Sequence, residues 1–216
     1  MPVLTLPTHD RPVSESGDLE WIVDALARLC CRATRSTQRW RRWSINSWGN
    51  AGGVTTTDDF AALTDELDYG MFIVTAASGD RRAGCLVGFS TQCSIDPLRY
   101  LVCLSRLNHT TSVASVAAVL AVHVVTTGAR DLAELFGTNC GNEIDKFDRC
   151  EWTRGPEGVP LLSGCPDRFV GRIRSQQDLG DHVGFVLELV EVSSDAPGEP
   201  LTFQQLRDLQ PGHPAP

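Results

Sequence analysis

The chain has 216 residues, of which 42% are hydrophobic and 21% charged, and its formal net charge at pH 7 is −8. This composition is typical of a folded protein with one medium domain and extensions. From Asp58 onward, twenty-two acidic residues stand against eleven arginines and one lysine, which argues against nucleic-acid binding because phosphate contacts need a basic face.

The longest apolar run, over residues 113–125, is interrupted by Ser115 and His123 and is too short to cross a bilayer. No secretory signal is visible at the N-terminus. The eight cysteines form no C-x-x-C pair and no zinc-finger spacing with histidine. We therefore expect a cytoplasmic protein with reduced thiols, no metal and no membrane segment.

Residues 1–57 are predicted to be an N-terminal extension. Apolar residues at helical spacing predict a helix over 18–43, and a Gly/Ser/Thr/Asn-rich linker follows over 44–57. Six arginines and no acid lie between Arg28 and Arg42. A basic helix for a nucleic-acid or membrane surface is one interpretation. We favour a partly disordered extension, and a helix that docks a partner remains an alternative.

The compact domain is predicted over residues 58–192, starting with a short capped helix at Asp59–Leu67. Helices are also predicted at about 110–118 and 129–136, with a turn or short helix over 143–148. Strands are predicted at 71–76, 83–90, 100–105, 120–125, 168–174 and 182–192, with a short one near 151–152. Residues 193–216 should form a loop, a short helix over 202–209 and a tail.

This order of elements predicts a mainly β, or α+β, fold: a closed antiparallel barrel with helical insertions. A doubly wound parallel sheet would need regular alternation of strands and helices. Nucleotide-binding, zinc-protease and nucleophile-elbow motifs are absent from the sequence. His123 is interpreted as a core residue and Lys146, the only lysine, as structural. Motifs alone therefore indicate no enzyme class.

The most distinctive stretch is GCLVGFSTQCSIDPLRYLVCLSRLNHTT, residues 84–111. Its small and polar residues would let a flat ligand approach the backbone closely. The second half ends a buried strand and opens a helix, and it offers hydroxyls, backbone N–H groups and one guanidinium for an anion. The stretch thus predicts a site for a planar ring and a phosphate.

This stretch and its surroundings resemble the flavin reductase-like family of FMN-binding split barrels over roughly residues 59–192. The resemblance is carried by the order of MFIVTA, GFSTQCSIDP, LVCLSRLNHT, DLAELFG, DKF, GVPLL and GDHVGFVLE. It implies a homodimer that binds FMN near its interface and reduces it with NAD(P)H. FAD or a deazaflavin is an alternative cofactor. A flavin-binding module without NAD(P)H oxidation, or a reductase that serves a partner monooxygenase, is an alternative function.

By position, the resemblance implies two groups of cofactor-binding residues and one residue on the nicotinamide side, with no certain catalytic residue. The ring would lie against Gly88, Phe89, Ser90, Thr91, Gln92, Cys93 and Ser94. The phosphate end would be held by Ser105, Arg106, Asn108, His109 and Thr110. His182 would face the nicotinamide. The chain departs from the family pattern at three positions. Thr is common at position 86, where this chain has Leu86, and Ser or Asn is common at position 88, where it has Gly88. Pro is common at position 98, where it has Leu98.

Overall fold

The structure is a computed structural model that describes residues 57–194, 198–210 and 212. The predicted N-terminal extension lies outside these residues except for Thr57, where the first described helix begins. None of the described helices is long and apolar enough to span a membrane.

The described part of the chain contains strands with short helices between them. The elements are α1 (Thr57–Asp65), β1 (Phe72–Ser78), β2 (Arg81–Val87), β3 (Ser90–Ser94), β4 (Arg99–Ser105), α2 (His109–Ala114), β5 (Val119–Val124), α3 (Arg130–Thr138), β6 (Trp152–Arg154), β7 (Pro160–Leu162), β8 (Arg168–Asp178) and β9 (His182–Ser193). Short 3₁₀ turns lie at Thr127–Ala129, Lys146–Arg149, Pro156–Gly158 and Gln204–Leu206.

Seven of the strands form one antiparallel sheet in the order β2-β1-β5-β8-β9-β4-β3. β1 and β5 are almost entirely buried and lie inside the sheet, as their continuous apolar sequences favour. The prediction of a mainly β, antiparallel fold is confirmed. Among the described residues no ladder joins the edge strands β2 and β3, so hydrogen bonding does not show the closure that was predicted.

The main hydrophobic core brings together strands from both halves of this sheet. Val74 of β1, Cys85 of β2, Leu104 of β4 and Phe185 of β9 belong to one buried cluster, which Val113 of α2 also joins. β2 and β4 are not hydrogen-bonded to each other as neighbouring strands, yet both contribute to this cluster. Buried side chains therefore connect the two halves of the sheet where backbone hydrogen bonds do not.

A second core forms where α3 and the C-terminal segment pack on the sheet. Phe136 of α3 is buried together with Met71, Leu201 and Leu206. A β-bridge between Gly70 and Thr202 fixes the segment. The helix predicted over 202–209 is only a 3₁₀ turn at Gln204–Leu206, and this segment packs on the domain although it lies beyond residue 192.

His123 of β5 joins the separate β6–β7 hairpin to the sheet. Its ring is fully buried, with Nδ1 3.0 Å from the Ile73 oxygen and Nε2 3.1 Å from the Leu162 nitrogen. The backbone N–H of Leu162 can only donate, so Nε2 accepts and Nδ1–H donates. Burial lowers the pKa of His123 to about 4. The residue belongs to the core, as predicted.

The chain between β2 and β4 differs from the prediction of a strand over 83–90 and an irregular segment after it. β2 ends at Val87, and β3 runs from Ser90 to Ser94 along the edge of the sheet. The Ser90 N–H bonds back to the Gly88 oxygen, which breaks the strand. β3 is polar and largely exposed, so it carries no hydrophobic pattern that would predict a strand.

Candidate functional site

A groove of about 300 Å³, here called the ring groove, opens where β2 and β4 end and β9 begins. Five of the predicted site residues line it, namely Gly88, Phe89, Ser105, Asn108 and His182. The rest of its lining is mostly apolar, from Tyr69, Met71, Cys85, Leu86, Val87, Cys103, Leu104 and Phe203. An apolar cleft with a few polar groups is the usual form of a small-molecule site.

Strand register explains why residues far apart in sequence meet in this groove. Ser105 at the end of β4 pairs with His182 at the start of β9. The Cys103 N–H donates to the Phe89 oxygen at 2.9 Å and holds the β2–β3 connection against β4. Strand pairing thus holds the predicted ring-binding segment, the predicted phosphate-binding segment and His182 next to the same groove opening.

Phe89 and His182 form the mouth of the ring groove. Their ring centroids are 5.3 Å apart at an angle of 49°, and Phe89 is 58% exposed. His182 Nδ1 lies 2.9 Å from Asp181 Oδ1, and this hydrogen bond holds the pKa of Asp181 below its usual range. The Asp181 contact orients the imidazole, while the exposed Phe89 face leaves room for a second planar ring.

Position 88 requires glycine because the Tyr69 ring lies very close to its Cα at the back of the groove. A Cβ at this position would lie 2.5 Å from Cε2 of Tyr69, closer than packing allows. Tyr69 in turn stacks on Phe203, with ring centroids 5.0 Å apart. The commonest family residues at position 88 would therefore not fit beside this aromatic pair unless it moved.

The predicted ring contacts from Ser90 to Ser94 lie along β3 and do not line the ring groove. The Ser90 hydroxyl is 3.2 Å from the Tyr100 hydroxyl, and Thr91, Gln92 and Cys93 are exposed. Their assignment to the flavin ring remains a proposal, one that would need a ligand to extend along the edge strand.

The predicted phosphate-binding residues point in different directions. Asn108 Oδ1 accepts the Thr110 N–H at 3.0 Å and caps α2. Thr110 is 1% exposed. The Arg106 guanidinium donates from Nε to the Gly180 oxygen at 2.7 Å and pairs with Asp178 at 2.8 Å. The Arg106 side chain therefore stabilises the β8–β9 turn, whereas Asn108 lines the ring groove.

Two further cavities continue from the ring groove along the start of α2. A second groove of about 190 Å³ shares Met71, Leu86, Asn108 and Phe203 with it and is also lined by His109. A polar pocket of about 220 Å³ then lies between His109 and Lys146. His109 therefore lies in a cavity wall, and its assignment to the phosphate end remains a prediction.

Tyr69, Phe203 and Lys146 line these cavities and were not among the predicted site residues. The Tyr69–Phe203 stack depends on the bridge that brings the C-terminal segment back to the start of β1. No local pattern marks that return. Lys146 did carry a signal, because it is the only lysine of the chain.

The comparisons with known proteins place these cavities within one recognised domain. Residues 64–211 match the family described as "Flavin reductase like domain". The chain is 30% identical over 157 residues to an "FMN reductase (NADH) SmoA" of Agrobacterium fabrum, covering 73% of this chain and 80% of the relative. It is 26% identical over 145 residues to the "Flavin-dependent monooxygenase, reductase subunit HsaB" of Rhodococcus jostii, covering 64% and 71%.

A solved flavin reductase domain protein from Arthrobacter sp. FB24 matches in fold, with a TM-score of 0.62 and 21% identity. The match covers 74% of this chain and 96% of that one. All thirteen residues that line the ring groove lie inside the range matched by the family.

Proposed function

The chain belongs to the flavin reductase like domain family, and from this premise we propose that it is an enzyme that binds FMN and transfers hydride from NAD(P)H to flavin. The observation that carries the proposal is the ring groove, in which two segments singled out from the sequence meet inside the family match. FAD remains an alternative flavin.

The groove suits a flavin ring chemically. Its apolar lining from Met71 and Leu86 would cover a flat ring, and the polar side chains of Ser105 and Asn108 lie on the side of the groove that leads to the proposed phosphate end. Bound flavin would supply the redox chemistry, so the protein needs to bind, orient and shield rather than to act as a strong acid or base. This agrees with a groove in which, among the described lining residues, His182 is the sole ionisable side chain apart from two thiols and a tyrosine hydroxyl.

We propose that His182 serves the nicotinamide. It lies at the mouth, beside the exposed Phe89 ring and oriented by Asp181. A nicotinamide ring that enters over Phe89 would contact the edge of the His182 imidazole before it contacts the apolar residues deeper in the groove. Ser105, Arg106, Asn108, His109 and Thr110 remain the proposed phosphate end, although Arg106 would first have to leave Asp178.

Spectroscopy of the purified protein tests the function. We expect FMN to bind with a perturbed visible spectrum, and NADH or NADPH to bleach it anaerobically. A protein that binds FMN without bleaching would be a flavin-binding module. A protein that binds neither FMN nor FAD would overturn the proposal.

We propose further that two copies associate around the groove mouth. Phe89 at the mouth is 58% exposed, and two leucines beside groove residues are also exposed: Leu179, whose N–H donates to the His182 oxygen, at 51%, and Leu107, which precedes Asn108, at 52%. Exposed apolar side chains of this kind favour a covering surface. Sedimentation at micromolar concentration should show a dimer, and Leu179→Glu should shift it towards monomer. A monomeric wild-type protein would contradict this.

The finer structural and cellular assignments belong to the same proposal. The buried cluster shared by β2 and β4 supports a barrel closed by side chains. The six cysteines of the described residues are free thiols, which supports a cytoplasmic location. The HsaB relative, named as a reductase subunit, supports delivery of reduced flavin to a partner monooxygenase.

A further inference from the structure

The turn between β8 and β9, residues 179–181, carries the carboxylate that orients His182. Asp181 Oδ1 lies 2.9 Å from Nδ1 of the imidazole, and because an ionised carboxylate only accepts, Nδ1–H is the donor. All three residues of the turn are exposed, and Gly180 has a φ of +91°. An exposed turn has few buried contacts to fix it, so the direction of the imidazole depends on what holds Asp181 in place.

Arg106 hydrogen-bonds this turn from outside the β8–β9 hairpin. It directly follows Ser105, the last residue of β4, which pairs with His182. Its backbone N–H donates to the Asp181 oxygen at 2.9 Å, and its guanidinium donates from Nε to the Gly180 oxygen at 2.7 Å. Within the described part of the chain, no other side chain from outside the hairpin hydrogen-bonds the turn. Arg106 is therefore the link between the turn and the end of β4.

Asp178, the last residue of β8, completes the contact. Its Oδ1 accepts the Gly180 N–H at 3.0 Å and lies 2.8 Å from Nη2 of Arg106. The Gly180 N–H and the Arg106 guanidinium hold the pKa of Asp178 below its usual range, so the carboxylate is ionised at neutral pH. Together Arg106 and Asp178 bind the oxygen and the N–H of Gly180. They thereby fix the peptide groups on both sides of this glycine, directly before Asp181.

The contacts of Arg106 and Asp178 determine geometry more than stability. The two side chains are 46% and 76% exposed, and exposed ion pairs add little to the stability of a fold. A glycine at positive φ, however, has wide conformational freedom, which these contacts remove at Gly180. The planar guanidinium presents Nε and Nη2 in a fixed geometry, and here the two atoms meet two acceptors of the same hairpin.

We propose that Arg106 and Asp178 position His182, by holding the β8–β9 turn so that Asp181 keeps the imidazole beside Phe89. Both are positioning residues, since neither lines the ring groove. The proposal rests on the proposed function in one respect, namely that His182 meets the nicotinamide. It differs from the phosphate contact proposed for Arg106, for which the guanidinium would have to leave Asp178.

The His182 imidazole can be observed directly in the ligand-free protein. In ¹⁵N-edited NMR spectra we expect a slowly exchanging Nδ1–H resonance, which its loss in His182→Asn assigns. Arg106→Gln and Asp178→Asn should each broaden or remove this resonance, because Asp181 is no longer held, while the melting temperature stays close to that of the wild type. Arg172→Gln, at an exposed arginine in the middle of β8, is the matched control and should leave the resonance unchanged. An unchanged His182 resonance in Arg106→Gln and Asp178→Asn would overturn the proposal.

Steady-state kinetics connect the turn to the reductant. We expect Arg106→Gln and Asp178→Asn to raise the NADH concentration for half-maximal reduction several-fold, with the affinity for FMN nearly unchanged. A residue that acts through His182 adds nothing once the imidazole is gone. The double variant Arg106→Gln/His182→Asn should therefore match His182→Asn alone. Effects that multiply in the double variant would show that Arg106 contacts the nucleotide itself, and would overturn the proposal.

Asp178→Asn separates positioning from a phosphate contact. Removing this carboxylate frees the Arg106 guanidinium for an anion, so a phosphate contact predicts tighter binding of FMN or NADH. Positioning predicts weaker NADH binding, to the same degree with FMN or with riboflavin, which has no phosphate. Tighter binding of FMN or NADH by Asp178→Asn would overturn the proposal. A wild type whose His182 resonance depends on Arg106 but which binds no flavin would instead refute the proposed function.

Discussion

At the scale of single residues, the role proposed for His182 separates binding of the flavin from binding of the reductant. It stands at the mouth of the ring groove, where it contacts Phe89 and Asp181, and the apolar lining lies behind it. A residue in this place can control which ring enters without holding the ring already inside.

We predict that His182→Asn raises the NADH concentration for half-maximal reduction several-fold. The affinity for FMN should stay within about twofold, because the apolar lining of the groove is unchanged. Flavin titration and steady-state kinetics measure the two quantities. Asp181→Asn, which keeps the imidazole but weakens its orientation, should give a smaller effect of the same sign. Loss of bound flavin in His182→Asn would place this residue in the flavin site instead.

His123 makes the stability of the fold depend on pH. Its folded pKa of about 4 lies below the ordinary value of 6.5, so the unfolded chain takes up a proton in this range before the native state does. Stability is therefore complete above pH 6.5 and falls as the pH drops towards 4, by roughly 3 kcal/mol at most. Protonation would also set an N–H of the ring against the Leu162 N–H.

Urea unfolding of the wild type and of His123→Gln at pH 7, 5.5 and 4.5 measures this loss. We predict that the wild type loses more stability than the variant across the interval, since carboxylates titrate equally in both proteins. Parallel losses in the two proteins would show that His123 does not carry the pH dependence.

At the scale of elements, strands with continuous apolar sequences were predicted. Strands and contacts that depend on residues distant in sequence were not. Strands β4 and β9 were predicted closely because they are long and apolar, and their pairing explains why Ser105 meets His182. β3 was not predicted as a strand, because an exposed edge strand has no hydrophobic pattern to detect. Five of the predicted site residues, Gly88, Phe89, Ser105, Asn108 and His182, therefore line the ring groove, whereas Tyr69 and Phe203 at its back were not among the predicted residues.

The link between β2 and β3 gives a prediction at this scale. Gly88→Ala would bring a Cβ within 2.5 Å of Tyr69, so the Tyr69–Phe203 stack would have to shift. We expect a loss of about 1–3 kcal/mol in stability from overpacking, together with weaker flavin binding. Gly70→Ala is the control, since its Cβ would meet only ordinary contacts at 3.8 Å. Equal melting temperatures for the two variants would contradict this account of the glycine.

At the scale of the whole molecule, the C-terminal segment completes both the second core and the ring groove. Leu201 and Leu206 are 3% and 5% exposed, and Phe203 lines two of the cavities. The compact domain predicted from sequence ends at residue 192, because the Pro/Gly-containing loop over 194–200 resembles a domain boundary. The contacts of Leu201 and Leu206 arise only in the folded molecule, where the segment returns to β1 and α3.

Two deletions test which parts of the chain the domain needs. Removing residues 1–56 should leave folding and flavin binding intact, because the residues described for both cores and for the lining of the ring groove all lie beyond that point. Removing residues 199–216 should lower the melting temperature sharply and abolish flavin binding, since it exposes Met71 and Phe136 and takes Phe203 from the groove. Far-UV circular dichroism melts and FMN titration of both proteins distinguish these outcomes. If the N-terminal deletion is the damaging one, residues 1–56 contribute packing that the two cores do not supply, and the boundary at residue 57 is wrong.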